Sequence, residues 1–245
     1  DDPSGVATYS QTGAQYGFSL LWTALFTFPF MAVVQEMCAR IGIVTGKGLA
    51  ATIKRYCPPY VLYASTIFLL IANTFNIGAD ISAIGEAVQL IVPNFNIVTI
   101  VIVFTVLSLL LQVLIPYQKY ASYLKYLSFV LIAYIVAGLS IDLVWKDVFF
   151  ATFIPHFDFS KDSILLLCAI CGTSITLYCF FWQNSQEVEE KRERSKGKTY
   201  LKKEVADHEN AHAIKDMRFD VWTGMFFSNL TMFFIIAVCG AVLFP

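Results

Sequence analysis

The chain has 245 residues, of which 57% are hydrophobic, 16% aromatic and only 14% charged, with a net charge of −1. Soluble domains carry about 45–50% apolar and about 25% charged residues. This composition excludes a disordered chain, a disulfide scaffold and a basic nucleic-acid binder. It predicts an all-α, polytopic membrane helix bundle, a single transmembrane domain over residues 1–245.

A bilayer core about 30 Å thick asks for about 20 apolar helical residues. The first element, 6–16, is only a half-helix, and it is rich in Thr, Ser and Gln. Asp2-Pro3-Ser4-Gly5 precedes it. Pro offers no N–H and Gly weakens helix, so regular helix does not run through this tetrapeptide. With another half-helix upstream, the break would sit near the membrane midplane. Carbonyls and a helix N-terminus would then lie beside Asp2, the arrangement by which transporters hold ions. The plain alternative is a surface terminus capped by Asp or Ser.

Full spans are expected at 18–34, 61–91, 97–115, 124–144, 163–186 and 221–244. Inside 61–91 lies Asn73-Thr74-Phe75-Asn76-Ile77-Gly78-Ala79-Asp80. Asp80 is the only acid deep within a full span, with no Lys or Arg near it in sequence. Such a residue faces the bundle interior, where it suits a proton relay or a cation. At the centre of 163–186 stands Gly172-Thr173-Ser174-Ile175-Thr176-Leu177-Tyr178. That run reads as a kinked, packed helix or, more sharply, as a second discontinuous helix facing the first. Phe180-Phe181-Trp182 is expected at the lipid surface. The six cysteines are expected as reduced thiols, Cys168 and Cys171 among them.

Residues 187–220 hold nine acids and nine bases and read as a solvated, partly helical loop. His208-Glu209-Asn210-Ala211-His212 matches H-E-x-x-H. A membrane metalloprotease is a remote alternative there, because no third ligand is evident, and the chain is not expected to be an enzyme. Charge sorting sets the orientation. Fifteen of the seventeen Lys and Arg residues fall on one face once the half-helix counts as span one. They include Arg40, Lys47, Lys54, Arg55, Lys119, Lys125 and nine in 187–220, which makes the 187–220 loop cytoplasmic.

These motifs, in this order, resemble the Nramp family of proton-coupled divalent metal transporters. Asp2-Pro3-Ser4-Gly5 is similar to the family's first-helix Asp-Pro-Gly-Asn. Gln35 to Lys47, reading QEMCARIGIVTGK, resembles its second-helix end. Ala79-Asp80-Ile81 resembles its third-helix Thr-Asp-Leu, and Asn229 sits where seventh helices carry Asn. The resemblance implies a LeuT-like fold with helices one and six broken at the metal. This chain would be a fragment holding helices 1b to 7. It further implies alternating-access, secondary active transport of a divalent cation of the manganese and iron class, coupled to protons, at the plasma membrane. The partners are that ion, protons and the lipid bilayer. No resident cofactor, nucleic acid or particular oligomeric state is implied.

The departures bear on selectivity. Gly5 stands where the family has its metal-binding Asn, Thr176 at its Met, Leu177 at Pro and Tyr178 at its His, and Ala83 replaces an acid. The implied metal ligands are Asp2, the Thr173 carbonyl and the Thr176 hydroxyl. Gly5, Gly172 and Tyr178 would line the site, and Asp2 and Asp80 would form the proton pathway. Losing the thioether favours hard cations, Mg²⁺ included. A LeuT-like transporter of a small organic solute is the alternative.

Overall fold

The computed structural model describes the backbone of residues 2–93, 96–114, 126, 128–195 and 203–244. It describes their side chains except at 112, 128, 177, 178, 190–195 and 203–211. Lys119, Lys125, the start of the span expected at 124–144, and Lys196, Lys198 and Lys202 lie outside the described residues. Ten α-helices are described: α1 (Pro3–Tyr16), α2 (Trp22–Thr45), α3 (Leu49–Tyr56), α4 (Pro59–Ile91), α5 (Ile97–Leu114), α6 (Ile132–Ser140), α7 (Trp145–Phe153), α8 (Lys161–Ser174), α9 (Leu177–Ser195) and α10 (Lys203–Val242). A 3₁₀ turn over Ser128–Leu131 leads into α6. No strand occurs among the described residues.

Length and apolar composition suit Trp22–Thr45, Pro59–Ile91, Lys161–Glu189 and His212–Val242 to cross a membrane. Phe129–Ser140 and Trp145–Phe153 form an apolar pair bent by 119°, the geometry of a broken span or of a re-entrant loop. The chain is therefore a polytopic membrane helix bundle. The charged segment, expected as a partly helical loop, is helical on both sides of residues 196–202, which places His208 and His212 one turn apart on α10. The side chain of His208 lies outside the described residues.

Two compact units are present. Unit one comprises Asp1–Leu25, Thr74–Thr173 and Leu230–Pro245, and unit two Phe26–Asn73 and Ser174–Asn229.

In unit one, α1 begins at Pro3 rather than at residue 6, so regular helix does run through Pro3-Ser4-Gly5, contrary to the sequence expectation, and it starts there for local reasons. Asp2 takes the N-cap in extended conformation (φ −93°, ψ 165°), its carboxylate accepts from the Gly5 N–H, and Pro3 fills the first helical turn, where its missing donor costs nothing. The helix ends at Gly17, whose φ of +57° favours glycine, with its N–H donating to the Gly13 carbonyl. Gly5, Tyr9, Thr12 and Gly13 form the buried face of α1. Tyr9 joins a core of Leu20, Leu21, Leu166, Ile170, Ile235 and Ile236.

Helix packing within a membrane relies on close backbone approach at small residues. Gly13 and Gly240 provide it. A Cβ on Gly13 would lie 2.5 Å from the Ile236 carbonyl oxygen and 2.7 Å from the Gly240 nitrogen, and one on Gly240 would lie 2.9 Å from the Gly17 oxygen.

In unit two, Ala39 and Ile43 of α2 pack with Met217 and Val221 of α10. A Cβ on Gly42 would stand 2.8 Å from the Asn184 carbonyl oxygen, so α2 and α9 also meet closely. Phe180, expected at the lipid surface, is instead buried, while its neighbour Trp182 is exposed. The sequence run of three aromatics hid that α9 turns them to different sides.

Gly13→Val would drive a branched side chain into backbone rather than into a movable side chain. The expected cost is about 1–3 kcal/mol, seen as a lowered thermal unfolding midpoint in detergent. An unchanged midpoint would contradict the close approach of α1 to the end of α10.

Candidate functional site

Unit one gathers polar groups from α1 and α4 into one hydrogen-bonded set. Asp2 Oδ1 accepts from the Gly5 N–H at 2.7 Å, and Asp2 Oδ2 accepts from Asn76 Nδ2 at 3.1 Å. The Ser4 hydroxyl donates to Asn76 Oδ1 at 2.8 Å, and the Ser4 N–H donates to Asp80 Oδ1 at 3.2 Å. Two carboxylates far apart in sequence are thereby joined through Ser4 and Asn76. Three of the residues singled out from the sequence, Asp2, Gly5 and Asp80, belong to this set.

Helical geometry explains the convergence. Asn76 and Asp80 are four residues apart on α4 and share a face. Pro3 and Asp2 open α1 so that its first N–H groups point at anionic oxygens. Two of those donors, on Ser4 and Gly5, are taken by the two carboxylates. A helix N-terminus favours negative charge in just this way. A Cβ at Gly5 would stand 2.8 Å from Asp2 Oδ1, so glycine here leaves room for the capping carboxylate.

The other face of α1 is polar. Ser4, Thr8, Gln11 and Gln15 recur at helical spacing and grow more exposed toward the C-terminus, from half-buried Ser4 to exposed Gln15. The Thr8 and Thr12 hydroxyls donate back to carbonyls one turn earlier, so they carry no unsatisfied donor. Gln11 and Gln15, with Tyr16, Asp162, Leu165 and Leu166, line a cavity of about 640 Å³.

The second sequence-predicted region is broken. Helix α8 ends at Ser174, Ile175 and Thr176 are non-helical, and α9 begins at Leu177. The Thr173 hydroxyl donates to the Ala169 and Ile170 carbonyls, at 3.0 and 3.1 Å. Of its two oxygens, the carbonyl is the one at the unpaired end of the helix, since the last four carbonyls have no intrahelical partner. Gly172 is exposed, with open space where a Cβ would stand. Gly172 and Thr173 belong to unit one, Thr176 and Tyr178 to unit two, and the Tyr178 side chain lies outside the described residues. Among the described residues no group of three or more His, Cys, Asp and Glu side chains could hold a metal.

Unit two holds further buried polar residues, and the role of Glu36 among them was passed over in the sequence. Glu36, nearly buried, accepts from Arg218 Nε and Trp222 Nε1, each at 2.8 Å, and pairs with Arg40 at 2.9 Å. The Glu36–Arg40 spacing of four was the available signal. Asn229 accepts from the Thr27 hydroxyl and donates to the Met225 carbonyl and Met31 Sδ. Gln35 Nε2 reaches Gln183 Oε1 at 3.4 Å, and Gln183 Nε2 donates to Glu187 at 2.8 Å. Asn76 is the residue missed in unit one. Its signal was an Asn one turn before the intramembrane Asp.

Comparison with known proteins agrees with this architecture. The family model described as "Natural resistance-associated macrophage protein-like" (Nramp) matches residues 1–245. The chain is 36% identical over 120 residues to "Metal transporter Nramp6.2" of Populus trichocarpa, covering 49% of this chain and 21% of that protein. It is 33% identical over 180 residues to "Metal transporter Nramp5" of Oryza sativa subsp. japonica, covering 69% and 32%. It is 29% identical over 191 residues to "Divalent metal cation transporter MntH" of Staphylococcus aureus (strain Newman), covering 75% and 42%. The matches thus span between about a fifth and two fifths of these relatives' length.

Proposed function

Because the chain belongs to the Nramp family, we propose that it forms the part of a secondary active transporter that holds a divalent cation during alternating access. Nramp proteins are transporters and not enzymes, which sets aside the protease reading of His208 and His212. The names of the relatives favour a divalent metal over an organic solute. The observation that carries the reading is the Asp2–Ser4–Asn76–Asp80 network at the start of α1.

In this reading Asp2 supplies the charge that offsets dehydration of the ion. The Thr173 carbonyl at the end of α8 and the Thr176 hydroxyl supply neutral oxygens, and Gly5, Gly172 and Tyr178 line the site. The C-terminal end of α8 carries the negative end of its dipole and suits a cation. Waters complete the shell. The polar face of α1 and the cavity at Gln11, Gln15 and Asp162 offer a hydrated approach to Asp2. Asp80 is linked to Asp2 through Ser4 and Asn76, so a proton and a cation compete within one network, which supports coupling of metal to proton movement. In this reading residues 187–220 face the cytoplasm, as the gathering of fifteen of the seventeen Lys and Arg residues on one face favours, and the membrane is the plasma membrane.

A site made of oxygen ligands suits Mn²⁺ and Mg²⁺ better than thiophilic ions. Proteoliposomes holding the full-length protein that contains this chain are expected to take up Mn²⁺, with Mg²⁺ competing. Asp2→Ala abolishes that uptake; normal uptake would sink the site assignment. In the same vesicles Asp80→Asn is expected to leave metal entry measurable while removing the acidification of the lumen that accompanies it. Acidification equal to wild type would remove Asp80 from the proton route. Thr176→Met is expected to raise Cd²⁺ uptake relative to Mg²⁺ by about tenfold, as a thioether ligand should. An unaltered ratio would place residue 176 outside the ligand shell.

A further inference from the structure

The family's first-helix motif carries a metal-binding Asn at the position of Gly5, and this chain cannot place one there without disturbing Asp2. A Cβ on residue 5 would sit 2.8 Å from Asp2 Oδ1. An amide nevertheless stands beside the same carboxylate, supplied by a different helix. Asn76 of α4 places Nδ2 3.1 Å from Asp2 Oδ2, while its Oδ1 accepts from the Ser4 hydroxyl at 2.8 Å. We propose that Asn76 is a metal ligand of this site, its carbonyl oxygen taking over from α4 the role that residue 5 of α1 has given up. The inference rests on the cation-site reading of Asp2.

The chemistry requires only that the amide turn over. With no cation present, the Nδ2 group donates to the anionic Asp2, the favourable partner for a carboxylate. When a cation binds Asp2, a donor beside it becomes unfavourable. A half-turn about the Cβ–Cγ bond then puts Oδ1 where Nδ2 was. Ser4 makes this turn inexpensive, because a hydroxyl both donates and accepts. It donates to Oδ1 in the orientation observed and accepts from Nδ2 in the other. Asp2 and Asn76 thus present one carboxylate and one amide oxygen to the same ion, a hard donor pair that suits Mn²⁺ and Mg²⁺. Gly5 makes room for the Asp2 cap, and Asn76 brings an amide oxygen to the same carboxylate.

Calorimetric titration of the full-length protein in detergent with Mn²⁺, at slightly alkaline pH, separates a ligand from a mere hydrogen-bond donor. Asn76→Ala is expected to weaken binding by at least about tenfold. Asn76→Asp keeps an oxygen and loses the donor, so it is expected to bind Mn²⁺ as tightly as wild type or more tightly. A positioning residue acting only through Nδ2 would do the opposite, because a second carboxylate repels Asp2 and binding would collapse in Asn76→Asp. That collapse, or wild-type affinity in Asn76→Ala, overturns the proposal. Asp2→Ala serves as the control for the underlying reading. If it binds Mn²⁺ normally the cation site itself is misplaced, whereas loss in Asp2→Ala with indifference at residue 76 removes Asn76 alone.

Discussion

A carboxylate placed within a membrane-spanning bundle must find donors, a cation or a proton, and Asp2 finds its donors at the first turn of α1. That constraint organises unit one. Capping by Asp2 requires the Gly5 N–H to be open, which requires residue 5 to be small, and both follow from the Asp-Pro-Ser-Gly order. The cap sets where α1 begins. The phase of the helix then sends Tyr9 and Gly13 into the core and turns Ser4, Thr8, Gln11 and Gln15 the other way. One ionic requirement thus fixes both a packing face and a polar face.

The packing face works through absence of side chains rather than through their bulk. Lipid tails are as apolar as Leu, so burying Leu20 or Ile236 gains less inside a bilayer than in water, and close contact matters more. Gly13 and Gly240 bring α1 and the end of α10 within backbone reach, and Gly42 does the same between α2 and α9 in unit two. Two buried polar residues of unit two show the matching rule that buried groups be partnered. Glu36 collects Arg40, Arg218 and Trp222, and Asn229 makes three contacts with Thr27, Met31 and Met225.

Much of this was legible in the sequence, because hydrophobic length and intramembrane charge are strong signals that need no tertiary information. The helical class, the break at Gly172 to Thr176 and the weight on Asp2 and Asp80 all came from such signals. Asn76 did not, although it lies one turn from Asp80. An Asn in an apolar helix is usually bonded to its own or a neighbouring helix, and only the fold brings α1 beside it. Glu36 escaped notice because it follows the first expected span and looks like a solvated end. The bend of 119° between α6 and α7 falls at residues 141–144, where the span expected at 124–144 ends, but no helix was expected over Trp145–Phe153. Phe180 shows the limit of composition: aromatic runs suggest a lipid face, but helical phase decides which ring is buried.

The central claim is that Asp2 and the carbonyl end of α8 converge on one divalent cation. Anomalous X-ray scattering from crystals of the full-length protein grown with Mn²⁺ tests it most directly. The account predicts a single strong peak within coordination distance of the Asp2 carboxylate and the Thr173 carbonyl, weakened when Mg²⁺ is present in excess. A peak that avoids Asp2, for example one beside His212 on α10, would contradict it.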